Sequence, residues 1–271
     1  MKRWTVASYT IVVVFLLGVL VPIAAVVVNS LKVPADIFTP TLKLAFTPTL
    51  SNYAKVLGDL HFQSFLTNST LVALGSTALS LAVGVPAAYA LARLPIRGRE
   101  FWAGGILFTR MVPAVALVVP MYVIFQRASL LGTYFALIAA HTTFNLPIVI
   151  WMMRSFFEEL PPDLEEAALV DGSGRFGAFW RVAVPLTAPG LAATAVLCLL
   201  FSWNEFLFAL VLSGRDTQTV PIGVASFIGT VSVDWGGSSA AAVLALIPVF
   251  VLGLAAQRFL VRGLTFGAVK G

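Results

Sequence analysis

Apolar residues are arranged in six long runs, about 8–30, 66–92, 101–126, 134–157, 189–213 and 239–261, each carrying at most one charged side chain. A hydrocarbon layer of roughly 30 Å needs about 20 helical residues to cross it, and each run meets that length. The runs are continuously apolar instead of apolar at every second position, which excludes the strands of a membrane barrel. The pattern therefore predicts an all-α, polytopic membrane protein with six transmembrane helices, in a single domain covering 1–271. The first run follows Lys2 and Arg3, as the core of a cleaved signal peptide would, but it exceeds the roughly 7–15 apolar residues usual there. It reads as a retained signal-anchor helix.

Composition agrees with this solvent. With 59% hydrophobic and 11% charged residues, the chain has too few polar groups to cover a globule in water. Charge then gives the orientation, because Lys and Arg collect on the cytoplasmic side. With the N-terminus inside, the inner side carries Lys2, Arg3, Arg93, Arg97, Arg99, Arg154, Arg175, Arg181, Arg258, Arg262 and Lys270. The outer side carries Lys32, Lys43, Lys55, Arg127 and Arg215, which leaves Arg110 within a run. Both termini are thus expected in the cytoplasm, and the net charge of +5 is a topology signal. Nucleic acid is not an expected partner, since no basic stripe is interleaved with aromatics. Cys198, the single cysteine, lies in an apolar run and suits a small buried role.

This topology leaves an external segment (31–65), a basic internal turn (RLPIRGRE, 93–100), an external turn near 127–133, a large internal loop (158–188), an external loop (214–238) and an internal tail. Six of the 12 acidic residues fall between Glu158 and Asp171, inside the large loop. Local signals there describe two short helices. Pro161 and Pro162 suit a helix start, and Asp163, Glu165 and Glu166 would lie in a first turn favoured by the helix dipole. Gly172 falls where a left-handed terminating residue is wanted, and Ser173 is the expected cap of a second helix through Phe176, Phe179 and Trp180, stopped by Pro185 and Pro189. The apolar residues of the loop, Leu164, Ala168, Val170, Phe176, Phe179 and Trp180, have two readings: packing on the membrane helices, or a docking surface for a second protein.

Glu166-Ala167-Ala168, three residues, Gly172, nine residues, then Val182-Ala183-Val184-Pro185 closely resembles the cytoplasmic signature of binding-protein-dependent ABC importer permeases: Glu-Ala-Ala, three residues, Gly, nine residues, Ile, any residue, Leu, Pro. Val182 and Val184 are conservative departures, and Asp171 fits. The resemblance extends over LSNYAKVL (50–57), RMVPAVALVVPMYVIF (110–125), LPIVIWMMRSFFEELPPDLEEAA (146–168), WNEF (203–206) and GLTFGAVKG (263–271), segments similar to the second permease subunit of maltose- and trehalose-type carbohydrate importers. It implies a cytoplasmic membrane, bacterial or archaeal, and four kinds of partner: a second homologous permease, two ATP-binding ABC subunits, an external sugar-binding protein and the lipid bilayer. It also implies that the 158–188 loop is the coupling element, with Glu165, Glu166, Ala167, Ala168, Asp171, Gly172 and Pro185 at the ATPase, and that the tail 267–271 reaches the ATPase dimer. Glu166 is the expected charge-assisted contact, against the alternative that it only favours a helix N-terminus.

The chain has no Gly-x-x-x-x-Gly-Lys-Ser/Thr phosphate loop, so no catalysis is expected of it, and ATP with Mg²⁺ belongs on the ATPase subunits. Charges within a bilayer are costly and point to function, which singles out Arg110 and Glu205, with His141, Asn145, Trp203 and Asn204 as neighbours on a substrate path. The competing reading pairs Arg110 and Glu205 with each other or with the partner permease. Pro22, Pro86, Pro113, Pro120, Pro147 and Pro248 interrupt five of the six runs and read as ordinary irregularities. An ion-coupled secondary carrier is the rival class, but it would carry its own coupling acids near mid-membrane and need no docking loop.

Overall fold

The computed structural model describes the backbone of residues 2–39, 45–227 and 233–266, with side chains described within 8–254 of those ranges and at 257. The tail singled out at 267–271 lies outside the described residues. In chain order the helices are α1 (Lys2–Ser30), α2 (Pro34–Ile37), α3 (Ser51–Gly58), α4 (Phe62–Arg93), α5 (Arg99–Phe108), α6 (Ala114–Arg127), α7 (Tyr134–Glu159), α8 (Pro162–Val170), α9 (Arg175–Ala178), α10 (Val184–Leu186), α11 (Ala188–Trp203), α12 (Leu207–Leu212), α13 (Val220–Ala225) and α14 (Trp235–Phe266). A 3₁₀ turn (Thr109–Met111) lies between α5 and α6, and a π-helical turn (Phe179–Ala183) links α9 to α10.

Four of these helices are long and apolar enough to cross a bilayer unbroken: Ser8–Ser30, Phe62–Arg93, Tyr134–Glu159 and Trp235–Leu254. Pro22, Pro86, Pro147 and Pro248 sit inside them without ending them, as the sequence reading allowed. The third and fifth apolar runs differ from the expected single helices. In the third, α5 with its 3₁₀ turn meets α6 at 92°. The cause is local: Val112 is extended (ψ 123°), as a residue before proline prefers, and Pro113 follows at ψ 135°. In the fifth, α11 ends at Trp203, Asn204 leaves helical geometry, and the helix restarts only at Leu207. Among the described residues there are thus four continuous helices of membrane length, and up to six spans when each bent pair, Arg99–Met111 with Ala114–Arg127 and Arg175–Leu186 with Ala188–Trp203, is counted as one.

The chain separates into two compact units, Met1–Ser64 with Gly223–Pro248, and Phe65–Ile222 with Val249–Gly271. In the first, Asn52 donates through Nδ2 to the carbonyls of Ser30 (2.9 Å) and Lys32 (2.8 Å), fixing α3 to the end of α1. A Cβ on Gly236 would stand 2.6 Å from Asn52 Oδ1, so the start of α14 approaches α3 where only glycine fits. Asp234 accepts from Gly237 N at 2.9 Å and from Lys55 Nζ at 2.7 Å. The membrane-length part of α1 is exposed nearly all round, the condition of a helix meant for lipid or a partner.

The second unit is organised on α7, whose buried residues recur at helical spacing: Leu137, His141, Asn145, Val149, Met153 and Phe157. Two apolar clusters surround it. One gathers Val72, Val118, Phe125, Leu137, Phe208 and Leu212; the other gathers Val85, Ala88, Val149, Met153, Phe157, Phe179 and Cys198. Small residues let helices approach closely where lipid gives no hydrophobic drive. A Cβ on Gly84 would lie 2.6 Å from Val149 Cγ1, and one on Gly190 would overlap the ring of Phe156.

Candidate functional site

The 158–188 loop forms two helical pieces, as its sequence predicted. Pro161 precedes α8 and Pro162 is its first residue, where a missing N–H is harmless. Its C-terminus is a full Schellman closure: Gly172 N donates to Leu169 O (3.1 Å) and Ser173 N to Ala168 O (2.9 Å), with Gly172 at φ +87°. The next helix departs from expectation. Gly174, not Ser173, occupies its N-cap position, and no side chain caps it. Pro185 does not stop it either, because the π turn absorbs the misfit and α10 runs through Pro185 to Leu186. The break comes at Thr187, beyond which α11 departs at 75°.

The acidic patch resolves into unlike parts. Glu165 is buried: its carboxylate accepts from Arg93 Nε at 2.8 Å and from Tyr89 Oη at 2.6 Å, while Arg93 also donates to Leu160 O. Glu158 accepts from Arg154 Nε at 2.7 Å, and a terminal nitrogen of Arg154 donates to Glu100 at the start of α5. Glu166 is exposed and lines a pocket of about 220 Å³ with Arg93, Glu165, Leu169 and Arg175. Among the loop's apolar residues, packing on the membrane helices is seen at Phe179. Leu164, Leu169, Trp180, Phe176 (77% exposed) and Val170 (87%) are uncovered.

The residues singled out within the spans gather near the two helix breaks. A cavity of about 850 Å³ is lined by Thr109, Arg110, Val112, Pro113, Thr143, Phe144, Pro147, Glu205 and Phe208, among others. Arg110 and Glu205 share its wall but do not pair: Arg110 lies over the Phe201 ring, 5.2 Å from its centroid. Glu205 instead turns its oxygens to Phe208 N (3.0 Å) and Ala209 N (3.1 Å), the first free donors of α12. That carboxylate restarts the helix after the break. His141 Nε2 stands 3.5 Å from Glu205, too far for a good hydrogen bond, and its Nδ1 lies 2.6 Å from Ser202 Oγ, itself 3.0 Å from Ser76 Oγ. Asn145 is buried with Nδ2 on Cys198 O at 3.3 Å and Oδ1 unpartnered among the described residues. Trp203 is buried, and Asn204 is exposed with its amide bonded back to Leu200 O.

Ser76, Ser202 and Tyr89 were not foreseen. Single hydroxyls in apolar runs carry little pattern, but Tyr89 and Arg93 are four residues apart at a basic helix end, a spacing that puts both on one face.

A polytopic helical chain with a docked helical loop and a cavity between broken spans is the membrane-embedded part of a transporter. Residues 80–266 match the family described as binding-protein-dependent transport system inner membrane component, and the chain belongs to it. It is 39% identical over 256 residues to the trehalose transport system permease protein SugB of Mycobacterium tuberculosis, covering 93% of each chain. It is 38% identical over 260 residues to the sulfoquinovosyl glycerol transport system permease protein SmoH of Agrobacterium fabrum, covering 95% of this chain and 91% of that one. A permease of the solved bacterial ABC transporter involved in the import of the acidic polysaccharide alginate superposes with a TM-score of 0.81 at 25% identity, over 95% of this chain and 96% of that one. The chain is therefore a transmembrane subunit of an ATP-driven importer.

Proposed function

We propose that this subunit imports a sugar or glycoside, forming the translocation path with a second homologous permease in the cytoplasmic membrane of a bacterium or archaeon, both termini inside. Relatives named for trehalose and sulfoquinovosyl glycerol, and a solved neighbour that imports alginate, support a glycosidic cargo. An external binding protein delivers it, and two ABC subunits bind ATP and Mg²⁺; the chain itself is not a catalyst.

The observation that carries the coupling role is the two-sided 158–188 loop. Its inner side is bonded to the spans through Glu165, while Glu166 and Val170, one turn apart, share an exposed face of α8, and Phe176 and Trp180 are exposed beyond the turn. Apolar side chains with a rim charge suit a groove on another protein. Ala167 and Ala168 keep that face shallow, Gly172 sets the turn, and Glu166 accepts from a basic group of the ATPase. Asp171 and Pro185 flank this surface. Closure of two ATPase subunits on ATP then carries both loops inward and rocks the spans from inward-open to outward-open. The sugar passes the cavity, where Arg110, His141, Asn145, Trp203, Asn204 and Glu205 form or support the wall.

The test is purification of the tagged chain from its native cell in mild detergent, with mass spectrometry of what accompanies it. A second permease and an ABC ATPase are expected, and a co-purified binding protein is then titrated with trehalose and other glycosides. A chain isolated alone that still drives ion-dependent uptake in vesicles overturns the reading.

A further inference from the structure

We infer that Arg93, with Tyr89, is a positioning residue: it joins the coupling helix α8 to α4 so that a push on the loop reaches the cavity wall. The inference rests on the coupling role of the 158–188 loop and adds the route by which the push is delivered.

Covalent connection alone does not hold α8 firmly. It follows the Leu160-Pro161 bend and precedes Gly172 and Gly174, so both ends are turns. What fixes it is a set of side-chain bonds to α4. Arg93 reaches Glu165 on α8 with Nε and the carbonyl of Leu160 at the end of α7 with a terminal nitrogen. One turn earlier on α4, Tyr89 donates to the other oxygen of Glu165. The same phenol ring packs on Phe157 of α7 (centroids 5.4 Å, nearly perpendicular) and on Phe179 of the π turn (4.7 Å). Two side chains of α4 thus hold α7, α8 and the π turn together. The Arg93 and Glu165 side chains are only 16% and 12% exposed, so salt and water screen the pair little.

From this joint α4 runs without a break to Ser76, whose hydroxyl lies 3.0 Å from Ser202. Seventeen residues at 1.5 Å each make this a rod of roughly 25 Å. Ser202 in turn holds His141, beside the cavity carboxylate Glu205. Helix α4, continuous through Pro86, therefore has the coupling helix bonded at one end and, at the other, the buried hydroxyls beside Glu205, which is a physical connection and not mere proximity.

The experiment uses the assembled transporter with Cys198→Ala and Thr143→Cys, since Thr143 is exposed in the cavity. The rate at which a water-soluble maleimide labels residue 143 is measured without nucleotide and after trapping with ATP and vanadate. Trapping is expected to change that rate about tenfold, as alternating access requires. In Arg93→Gln the change is expected to collapse to below about twofold while ATP hydrolysis by the assembled complex persists, and Arg93→Lys, which keeps the charge but cannot reach both Glu165 and Leu160 O, is expected to recover only part of it. A full response in assembled Arg93→Gln overturns the joint. Should Arg93→Gln fail to assemble, Tyr89→Phe, which removes one hydrogen bond and keeps the ring, decides: a response reduced by about half supports the joint, and an unchanged one overturns it. Gly172→Trp separates the two proposals. If it leaves ATPase binding and the labelling response intact, the coupling role of the loop itself fails, whatever Arg93 does.

Discussion

Two ion pairs of nearly equal length sit in opposite surroundings. Arg93 and Glu165 are 2.8 Å apart with side chains 16% and 12% exposed; Lys55 and Asp234 are 2.7 Å apart with side chains 52% and 31% exposed. The first has further bonds to Tyr89 and Leu160 and a wall of aromatic rings, while the second adds one backbone amide. Distance says nothing about which matters. A pair held away from water cannot replace a lost partner with solvent, whereas an exposed pair can. The largest single effect is therefore expected at Glu165. Glu165→Ala strands Arg93 and is expected to lower stability by about 3 kcal/mol, read as a fall in the thermal aggregation midpoint in detergent. Arg93→Met with Glu165→Leu removes both charges and is expected to recover most of that loss. If the double variant is no more stable than Glu165→Ala, the stranded-charge explanation is wrong.

The buried polar groups beside Glu205 sharpen the comparison, because they bond to one another. Ser202 Oγ stands between His141 Nδ1 and Ser76 Oγ, all three buried. Ser202→Ala leaves a buried ring nitrogen unsatisfied and is expected to cost about 1–3 kcal/mol by the same thermal assay. Glu205→Gln comes next. An amide keeps one acceptor for the two α12 amides, so a loss of about 1 kcal/mol is expected. If Glu205→Gln costs as much as Glu165→Ala, Glu205 is a buried charge partner and not a helix cap.

How much of this was legible in the sequence depended on whether a residue's neighbours in space were also its neighbours in the chain. The capping of α8 was readable because Pro162, Ala168 and Gly172 act within one short helix, and the Schellman bonds satisfied the orphan carbonyls expected there. Four spans were readable because an unbroken apolar run of that length has one outcome in lipid. The breaks were less so. Pro113 looked like the prolines that α4 and α7 absorb, and its effect emerges only in Val112 turning extended beside the cavity. In the fifth run no proline marks the break at all; Glu205 looked like a pairing partner for Arg110, yet it serves the amides three and four residues on. Glu165 and Glu166 are adjacent in sequence and opposite in role, since successive helical residues face different ways: one turns to Arg93, 72 residues earlier, the other to the surface. No local signal reports such a partner.

The smallest effect is expected at the exposed pair. Burial pushes the Asp234 carboxyl up, but the hydrogen bonds from Lys55 and Gly237 outweigh it and hold the group below its ordinary value of 3.8. A depressed folded value means that the charged form is favoured by folding, so the stabilisation is complete above the ordinary carboxylate range and disappears as pH falls through the lower folded value. With both side chains substantially hydrated, the pair is worth roughly 0.2–1 kcal/mol. Lys55→Ala is expected to shift the thermal midpoint slightly at neutral pH in low salt, and the shift should vanish in about 1 M NaCl, where the screening length is near 3 Å. Below the folded value of Asp234 the variant and the parent should coincide. Asp234→Asn should lose somewhat more than Lys55→Ala, because its carboxylate also accepts from the Gly237 amide in the first turn of α14. A Lys55→Ala loss that matched Glu165→Ala and resisted salt would show that burial is not what separates the two pairs.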